Sequence, residues 1–294
     1  MRIPEQCIVC GGARLQADND YARCAGCGHE SLTTHPEQTY IVNEVLDGAN
    51  VGRATALDRF KNSILRRWMK GDSVLVDFGS ASGRFLYQNR NAFRIGIGLE
   101  VTDEAVEFSK QILRLDIRAT VEELPEGIDV VTCWHSLEHI PIDGLHAVVA
   151  GLAKRLSDRG RVIVSVPNAA SLQYRLLGRH YAFYDVPNHH HQFSLRSLDA
   201  LMRGIGMKRE RLAYSTVYNL FGWLQGALNV LAGGHNDLYY RLRRGVEDNR
   251  RWRMMGHLLL VPALTVPVLL IMALEVALPE RQGVITACYT HRAV

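Results

Sequence analysis

The sequence lacks a long apolar run at its start and any strong imbalance of charge. Its first ten residues, MRIPEQCIVC, do not resemble the hydrophobic segment of a secretory signal, so we expect a cytoplasmic protein. With 34 basic and 30 acidic residues the net charge is +4, which gives no reason to expect a nucleic-acid partner. No internal repeat is evident, which argues against solenoid folds. With 47% hydrophobic and 22% charged residues, the 294-residue chain suits one folded domain with additions.

Cysteine is scarce, and four of the six cysteines lie within the first 27 residues. They form the pattern C-x2-C-x13-C-x2-C. Two such pairs can place four thiolates tetrahedrally around zinc, and a reducing cytosol disfavours the competing disulfides. We predict a structural zinc ribbon over residues 1–36, named here the cysteine ribbon, with the ligands Cys7, Cys10, Cys24 and Cys27. Cys133 and Cys288 fall in predicted strands, where cysteine usually fills core space.

The segment Val74–Leu86, VLVDFGSASGRFL, predicts a strand, a tight turn of small residues and a helix start. Small residues let a cofactor approach the backbone, although an ordinary strand–helix turn can look the same. Glu100 lies at the end of the next apolar run, which is the second predicted strand. In a doubly wound sheet, an acid at this position hydrogen-bonds the ribose of a bound nucleoside. The loop does not fit the dinucleotide fingerprint G-x-G-x-x-G, and no phosphate-binding lysine follows it. It is closer to D-x-G-x-G-x-G, with Ala81 at the middle glycine, so we predict a nucleoside cofactor.

Strand and helix patterns alternate along the rest of the chain. A helix is predicted from about Ala54 to Met69, and strands are predicted near residues 74–78, 95–100, 117–120, 128–134, 160–166, 208–214 and 284–291. This alternation predicts an α/β fold with a mostly parallel sheet covered by helices on both faces.

Four segments, in order, resemble motifs of the class I S-adenosylmethionine-dependent methyltransferases. They are the glycine loop, residues 128–141 with the phrase Leu137-Glu138-His139, residues 156–168 and residues 193–207. The resemblance implies a seven-stranded Rossmann-like sheet and S-adenosylmethionine as the cofactor. It also implies a set of cofactor-binding residues: Asp77, Gly79, Ser80, Gly83, Glu100 and Trp134. The acid that often contacts adenine in that family is missing from its expected place, and Glu122 is the substitute we predict.

Histidines supply the candidate general bases, because the imidazole pKa lies near neutral pH. His135 and His139 flank Glu138 after the fourth core strand, and His189 lies in a second polar loop, DVPNHHHQF. The alternative role for these residues is to brace their loops. A group of ubiquinone-pathway O-methyltransferases resembles the first loop and holds a divalent metal with Glu-x-x-Glu-His. Here His135 replaces the first glutamate, which weakens the case for magnesium.

Residues 214–283, named here the insertion, do not match the ordinary fold. They contain an apolar stretch at 218–231, an arginine-rich segment and an uncharged run from Leu258 to Leu274. If residues 284–294 form the final strand after a methyltransferase domain at 37–213, both ends of the insertion lie on one side of any bilayer. A single membrane span is then excluded. An interfacial helical hairpin fits better, with a buried lid or a dimer contact as the alternative.

The sequence thus predicts methyl transfer to a hydroxyl or carbon of a glycan, a lipid-linked sugar or another amphiphilic small molecule. Peripheral attachment at the inner face of the cytoplasmic membrane would suit such an acceptor. Two alternatives stay open. One is a nucleotide-binding enzyme of another class that modifies sugars, and the other is a degenerate methyltransferase fold that serves as a membrane or partner adaptor.

Overall fold

The computed structural model describes residues 5–13, 15–18, 20–34, 46, 48, 50–69, 71–233, 235–244 and 251–291. Its strands are β1 Leu15–Asp18, β2 Tyr21–Cys24, β3 Glu30–Leu32, β4 Val74–Phe78, β5 Ile95–Leu99, β6 Asp116–Arg118, β7 Ile128–Trp134, β8 Leu156–Pro167, β9 His191–Gln192, β10 Met207–Ala213 and β11 Val284–His291. Its α-helices are α1 Ala56–Trp68, α2 Arg84–Asn89, α3 Asp103–Gln111, α4 Leu145–Lys154, α5 Leu172–Leu177, α6 Leu195–Gly204, α7 Thr216–Ala232, α8 Asp237–Arg244 and α9 Arg251–Val276.

Within the described residues, seven strands form one sheet in the order β10-β11-β8-β7-β4-β5-β6. The strands from β8 to β6 run parallel, and β11 runs antiparallel between β8 and β10. Central strands such as Val74–Phe78 are buried along their whole length, which suits their mainly apolar sequence, with Asp77 as the buried polar residue of this strand. The predicted α/β sheet is confirmed. The predicted helix near 54–69 begins after Thr55, which exchanges hydrogen bonds with Asp58 in a capping box.

The cysteine ribbon forms a second, smaller sheet. Strands β1, β2 and β3 pair antiparallel, and β9 from the loop before α6 adds a fourth strand. Ser31 lies opposite His191 in this pairing. The ribbon is therefore joined to the methyltransferase domain by strand pairing with the polar loop that contains His189. The predicted boundary at residues 36 and 37 lies outside the described residues.

The described part of the insertion is helical, and both of its ends meet at one edge of the main sheet. Ala213, the last residue of β10, pairs with Thr286 of β11. Helix α7 packs on α9 through a small buried cluster of Trp223, Val268 and Met272. The ends of residues 214–283 therefore lie side by side, as the sequence predicts.

The outer side of α9 carries a row of exposed apolar side chains. The exposed fractions are 76% for Leu259, 64% for Val266 and 66% for both Leu270 and Leu274. Residues Met255–Val276 contain an 18-residue stretch with a mean hydropathy of 2.3, of which 17% is buried, so by length and composition alone this helix could cross a membrane. Of the predicted arginine-rich segment, Arg250 and the side chains of Arg243, Arg244, Arg251 and Arg253 lie outside the described residues.

Candidate active site

A cavity of about 820 Å³ opens at the carboxyl ends of β4, β5 and β7. This is the edge at which open α/β sheets bind their ligands. One part, the glycine-loop half, is lined by residues 77–81, 99–102 and 119–122. The other part, the histidine half, is lined by His135, His139, residues 182–190 and residues of the insertion.

The turn after β4 needs small residues, as the sequence predicts. Gly79 has φ +70°, and a Cβ atom there would lie 2.6 Å from Ser136 Cβ. Gly83 also has φ +70°, and its Cβ would lie 2.5 Å from Leu115 Cδ1. Ala81 adopts φ +46°, in the left-handed region that favours glycine. The departure from the family pattern at Ala81 is thus a strained position.

The Glu100 carboxylate accepts hydrogen bonds in the glycine-loop half. Its side chain is 8% exposed. Oε1 accepts hydrogen bonds from the amides of Val101 and Thr102 at 2.8 and 2.9 Å, and Oε2 accepts one from Ala81 at 2.8 Å. A carboxylate oxygen has about two acceptor sites, so Oε2 retains capacity for a ligand hydroxyl. Glu100 therefore fits the predicted ribose contact.

The other predicted cofactor residues differ in how well they are placed. Asp77 is buried and its Oδ1 accepts a hydrogen bond from Thr132 Oγ1 at 2.6 Å. Ser80 lines the cavity, with Oγ directed over Gly98. Trp134 packs edge-to-face on Phe85 at 5.4 Å, whereas Glu122 is exposed on a turn at the rim.

Lys61 of α1 also lines this half, and its Nζ lies 5.5 Å from the Trp134 ring. Lys61 is not among the site residues predicted from the sequence. The signal for it was its place on the amphipathic helix that packs against the sheet.

His135 is the most constrained of the predicted bases. It follows β7 with φ +55°, a sparsely populated conformation for a residue other than glycine. Its ring lies against Tyr218 and Phe183, with centroid distances of 4.7 and 5.7 Å. Nδ1 lies 3.2 Å from Glu138 Oε1, and Nε2 has no hydrogen-bond partner among the described residues. The imidazole and the carboxylate are therefore in close contact, and His135 Nε2 is buried.

Glu138 is fully buried beneath these histidines. Burial is the largest influence on its pKa and acts to raise it, but the contact with His135, together with weaker electrostatic effects of the neighbouring histidines, outweighs burial and lowers the pKa. The environment of Glu138 therefore favours the carboxylate.

His139 and His189 lie together on the other side of Glu138, with ring centroids 4.7 Å apart. His139 Nδ1 is 3.0 Å from the Asn188 carbonyl oxygen. Burial, followed by the charge of His139, lowers the pKa of His189 to about 4, so its imidazole is neutral at neutral pH. One ligand atom from each of Glu138, His139 and His189 lies within 4.8 Å of the others, a spacing that suits a metal ion. The structure thus brings the three predicted histidines to one half of one cavity.

The insertion supplies much of the wall that faces these histidines. Val217, Tyr218 and Phe221 project from α7, and Tyr239 and Tyr240 from α8. Phe183 contacts Phe221 at 5.6 Å, and Phe221 contacts Tyr239 at 5.4 Å. The sequence placed the insertion beside the site but did not assign these residues to it. The spacing of Tyr218 and Phe221, which puts both on one face of a helix, was the available signal.

The four ribbon cysteines converge at a separate place. Cys7 Sγ lies 3.6 Å from Cys27 Sγ, and Cys10 Sγ lies 3.6 Å from Cys24 Sγ. All four sulfur atoms lie within 4.8 Å of one another and none forms a disulfide. Sulfur atoms around tetrahedral zinc, at about 2.3 Å from the metal, are separated by roughly 3.8 Å. The spacing therefore suits a sulfur-ligated zinc ion.

A protein family described as "Methyltransferase domain" matches residues 52–210, more than half of the chain. The chain belongs to this methyltransferase family. It is an S-adenosylmethionine-dependent methyltransferase, and the prediction made from the four ordered motifs is confirmed. The alternative of a dinucleotide-binding sugar enzyme is thereby set aside.

This methyltransferase is similar to the ubiquinone biosynthesis O-methyltransferase of Nitrosomonas europaea, with 25% identity over 136 residues. The match covers 42% of this chain and 57% of the relative, so it spans little more than half of the relative's length.

Two solved structures share the fold at low identity. The [4+2]-cyclase SpnF matches with a TM-score of 0.52 and 16% identity, over 83% of this chain and 84% of the cyclase. The cyclopropane synthase MmaA2 from Mycobacterium tuberculosis matches with a TM-score of 0.51 and 11% identity, over 79% and 82% of the two chains. These matches show the fold alone.

Proposed function

We propose that this methyltransferase transfers a methyl group to a hydroxyl of an amphiphilic small molecule. The observation that carries the proposal is the composition of the histidine half. Histidines from the core line one cavity together with Val217, Tyr218, Phe221 and Tyr239 of the insertion. A pocket of this kind buries an apolar body and presents a proton acceptor to a polar group.

The aromatic wall favours an acceptor that contains a ring. Flat rings stack on aromatic side chains, and a hydroxylated ring with an apolar tail is the first candidate. The similarity to an O-methyltransferase of ubiquinone biosynthesis supports this class. A lipid-linked sugar or another glycan is the second candidate, because the apolar faces of sugars also pack on Tyr and Phe.

His135 is the general base in this proposal. S-adenosylmethionine, when bound, supplies the methyl group. Glu138 fixes the His135 ring through the 3.2 Å contact at Nδ1, which leaves Nε2 for the proton of the acceptor hydroxyl. The negative charge of Glu138 stabilises the imidazolium formed when that proton is taken up. His139 and His189 line the same half and position the acceptor.

A panel of acceptor probes tests this function. An alkylated catechol, an alkyl glucoside and the two molecules without alkyl chains are each incubated with the protein and S-adenosylmethionine, and S-adenosylhomocysteine is measured. We expect the most S-adenosylhomocysteine with the alkylated catechol, less with the alkyl glucoside and least with the probes that lack an alkyl chain. Equal release with the alkylated and unalkylated probes would contradict an amphiphilic acceptor.

We also propose that the insertion docks on the lipid surface of the inner face of the cytoplasmic membrane. The exposed row lies on α9, which packs against α7, and α7 lines the cavity. The arginines in the sequence of residues 243–253 suit anionic head groups. Docking there would place the cavity mouth close to an acceptor held in the bilayer.

Vesicle flotation tests the docking. The wild-type protein is expected to float with vesicles rich in anionic lipid, and the double variant Leu270→Glu/Leu274→Glu is expected to stay in solution. Ile112→Glu changes an apolar side chain of similar exposure, 59%, outside the insertion and is the matched control. Flotation of the double variant at the wild-type level would sink the proposal.

Finally, we propose that Cys7, Cys10, Cys24 and Cys27 hold a structural zinc ion. With four sulfur ligands the ion has no open position and supplies no chemistry to the distant cavity. Metal analysis of the purified full chain is expected to give one zinc per protein, and the Cys10→Ser variant is expected to lose it. Stoichiometric zinc in that variant would argue against the site.

A further inference from the structure

The loop at residues 182–190, named here the acceptor loop, contributes His189, Phe183 and Asn188 to the histidine half. A loop of this length needs partners that hold its backbone in place. The core and the insertion supply some of them: the Glu138 carbonyl oxygen accepts the His190 amide at 2.8 Å, and Asn236 donates to the Ala182 carbonyl oxygen at 2.8 Å. Other partners, which hold the end of the loop, come from the cysteine ribbon.

Backbone pairing joins the ribbon to the end of the acceptor loop. Strand β3 pairs with β9, with Ser31 opposite His191 and Glu30 opposite Gln192. One residue earlier, the Leu32 amide donates to the His190 carbonyl oxygen at 2.9 Å. The exit of the acceptor loop is therefore the edge strand of the ribbon's sheet.

Side chains extend this contact to His189 itself. Tyr21 of β2 donates its hydroxyl to the His189 carbonyl oxygen at 2.9 Å. Tyr184 of the loop donates to Asp20 Oδ2 of the ribbon at 2.9 Å. The two rings pack edge-to-face at 5.5 Å, and Tyr21 is only 1% exposed. Hydrogen bonds in such a buried setting fix the loop in one position.

Two of the cysteines lie in the β2–β3 hairpin that contacts the acceptor loop. Cys24 ends β2, and Cys27 lies in the turn before β3. The Cys24 amide donates to the His29 carbonyl oxygen and the Gly28 amide to the Cys24 carbonyl oxygen. A hairpin with strands of four and three residues is marginal by itself, and a bound metal supplies the stability it lacks.

We propose that the cysteine ribbon positions the acceptor loop, so that metal binding in the ribbon sets the geometry of the histidine half but not that of the glycine-loop half. This inference rests on the zinc site and the acceptor pocket proposed above. The glycine-loop half is held within the main sheet, where Asp77 is bonded to Thr132 and Glu100 to Ala81. Tyr21, Leu32 and Ser31 are positioning residues in this scheme.

Hydrogen exchange on the full zinc-loaded chain tests the proposal without any acceptor. The Cys10→Ser variant is compared with wild type, and Cys288→Ala, which changes a cysteine of β11, is the matched control. In Cys10→Ser we expect amide exchange to rise about tenfold at residues 31–32 and 183–192, which corresponds to a loss of about 1.4 kcal/mol in opening free energy. Exchange at residues 74–86 and the affinity for S-adenosylmethionine are expected to stay within about twofold of wild type.

A second variant separates positioning from general stability. Tyr21→Phe keeps all four cysteines and removes one hydroxyl that donates to His189. We expect unchanged zinc content and cofactor affinity, with a shifted imidazole resonance of His189 in NMR spectra. If Cys10→Ser lacks zinc but amide exchange at residues 183–192 is unchanged, this proposal is wrong while the zinc site stands. The same holds if Cys10→Ser loses affinity for S-adenosylmethionine to the same extent as the histidine half loses protection from exchange. A wild-type protein without zinc would overturn the zinc site and this proposal together.

Discussion

His135 Nδ1 lies 3.2 Å from Glu138 Oε1, and this contact joins the strained end of β7 to a fully buried carboxylate. The pairing gives the candidate base an orientation and a counter-charge. Glu138→Gln keeps the shape of the side chain and removes the charge. We expect turnover to fall about 100-fold, the lower range for a disabled general base, with affinity for S-adenosylmethionine retained.

Steady-state kinetics with the alkylated catechol and calorimetry with the cofactor measure the two effects. Glu126→Gln, on a side chain that is 76% exposed, is the control and is expected to behave as wild type. Loss of cofactor binding in Glu138→Gln would show that this residue supports the fold of the site and does not orient a base.

Cofactor affinity is expected to depend on Glu100 far more than on Glu122. Glu100→Gln replaces one acceptor oxygen by an NH2 group that faces backbone amides, so we expect the dissociation constant for S-adenosylmethionine to rise about 10- to 100-fold. Glu122→Gln changes an exposed side chain at the rim, and an increase of less than about threefold is expected. A larger effect of Glu122→Gln in calorimetry would restore Glu122 as the main polar contact of the cofactor.

Ala81→Gly should stabilise the protein. At φ +46° a residue with a Cβ is strained by roughly 1–2 kcal/mol, and glycine relieves the strain while adding disorder to the unfolded chain. The expected net gain is about 0.5–1 kcal/mol in the free energy of unfolding, measured by denaturant titration. Ala150→Gly, in the middle of α4, is the control and should cost about 1 kcal/mol. Equal destabilisation by both changes would refute the strain.

Glu275 makes stability depend on pH. It is fully buried where α9 meets the core, and burial raises its pKa from 4.5 to about 7, against smaller opposing effects of Trp223 and Gln173. Between these values the folded protein binds more protons than the unfolded chain. The stability contributed by the protonated Glu275 carboxyl is therefore present at pH 4.5 and is lost as the pH rises through about 7.

Glu275→Gln should remove this loss. The expected gain in the free energy of unfolding at pH 8 is about 3 kcal/mol, with little change at pH 5. Glu280→Gln, on an exposed turn, is the control and should leave the pH profile as it is. A wild-type profile in Glu275→Gln would show that the carboxyl is not the group that titrates.

Local patterns predicted the parts of the protein that local chemistry determines. The sheet and its ligand-binding edge are formed by short contiguous segments. They could therefore be predicted from the strand pattern, the small residues from Gly79 to Gly83 and the acid at Glu100. The proximity of His135, His139 and His189 followed from the resemblance and not from their spacing alone.

Contacts between distant segments could not be predicted in this way. Tyr21 and His189 lie 168 residues apart, and no periodicity marks their hydrogen bond. The same holds for the contact of Phe183 with Phe221 and for Lys61 beside Trp134, which depend on how the ribbon, the insertion and α1 pack on the sheet.

Transfer of a methyl group to a hydroxyl, with His135 as the base, is the central proposal for this protein. The most direct measurement is mass spectrometry of the alkylated catechol after incubation with S-adenosylmethionine and either wild-type protein or His135→Gln, with cofactor binding of both proteins checked by calorimetry. We expect an O-methylated product from wild type and almost none from a variant that still binds the cofactor. Product formed by His135→Gln at the wild-type rate would contradict this proposal.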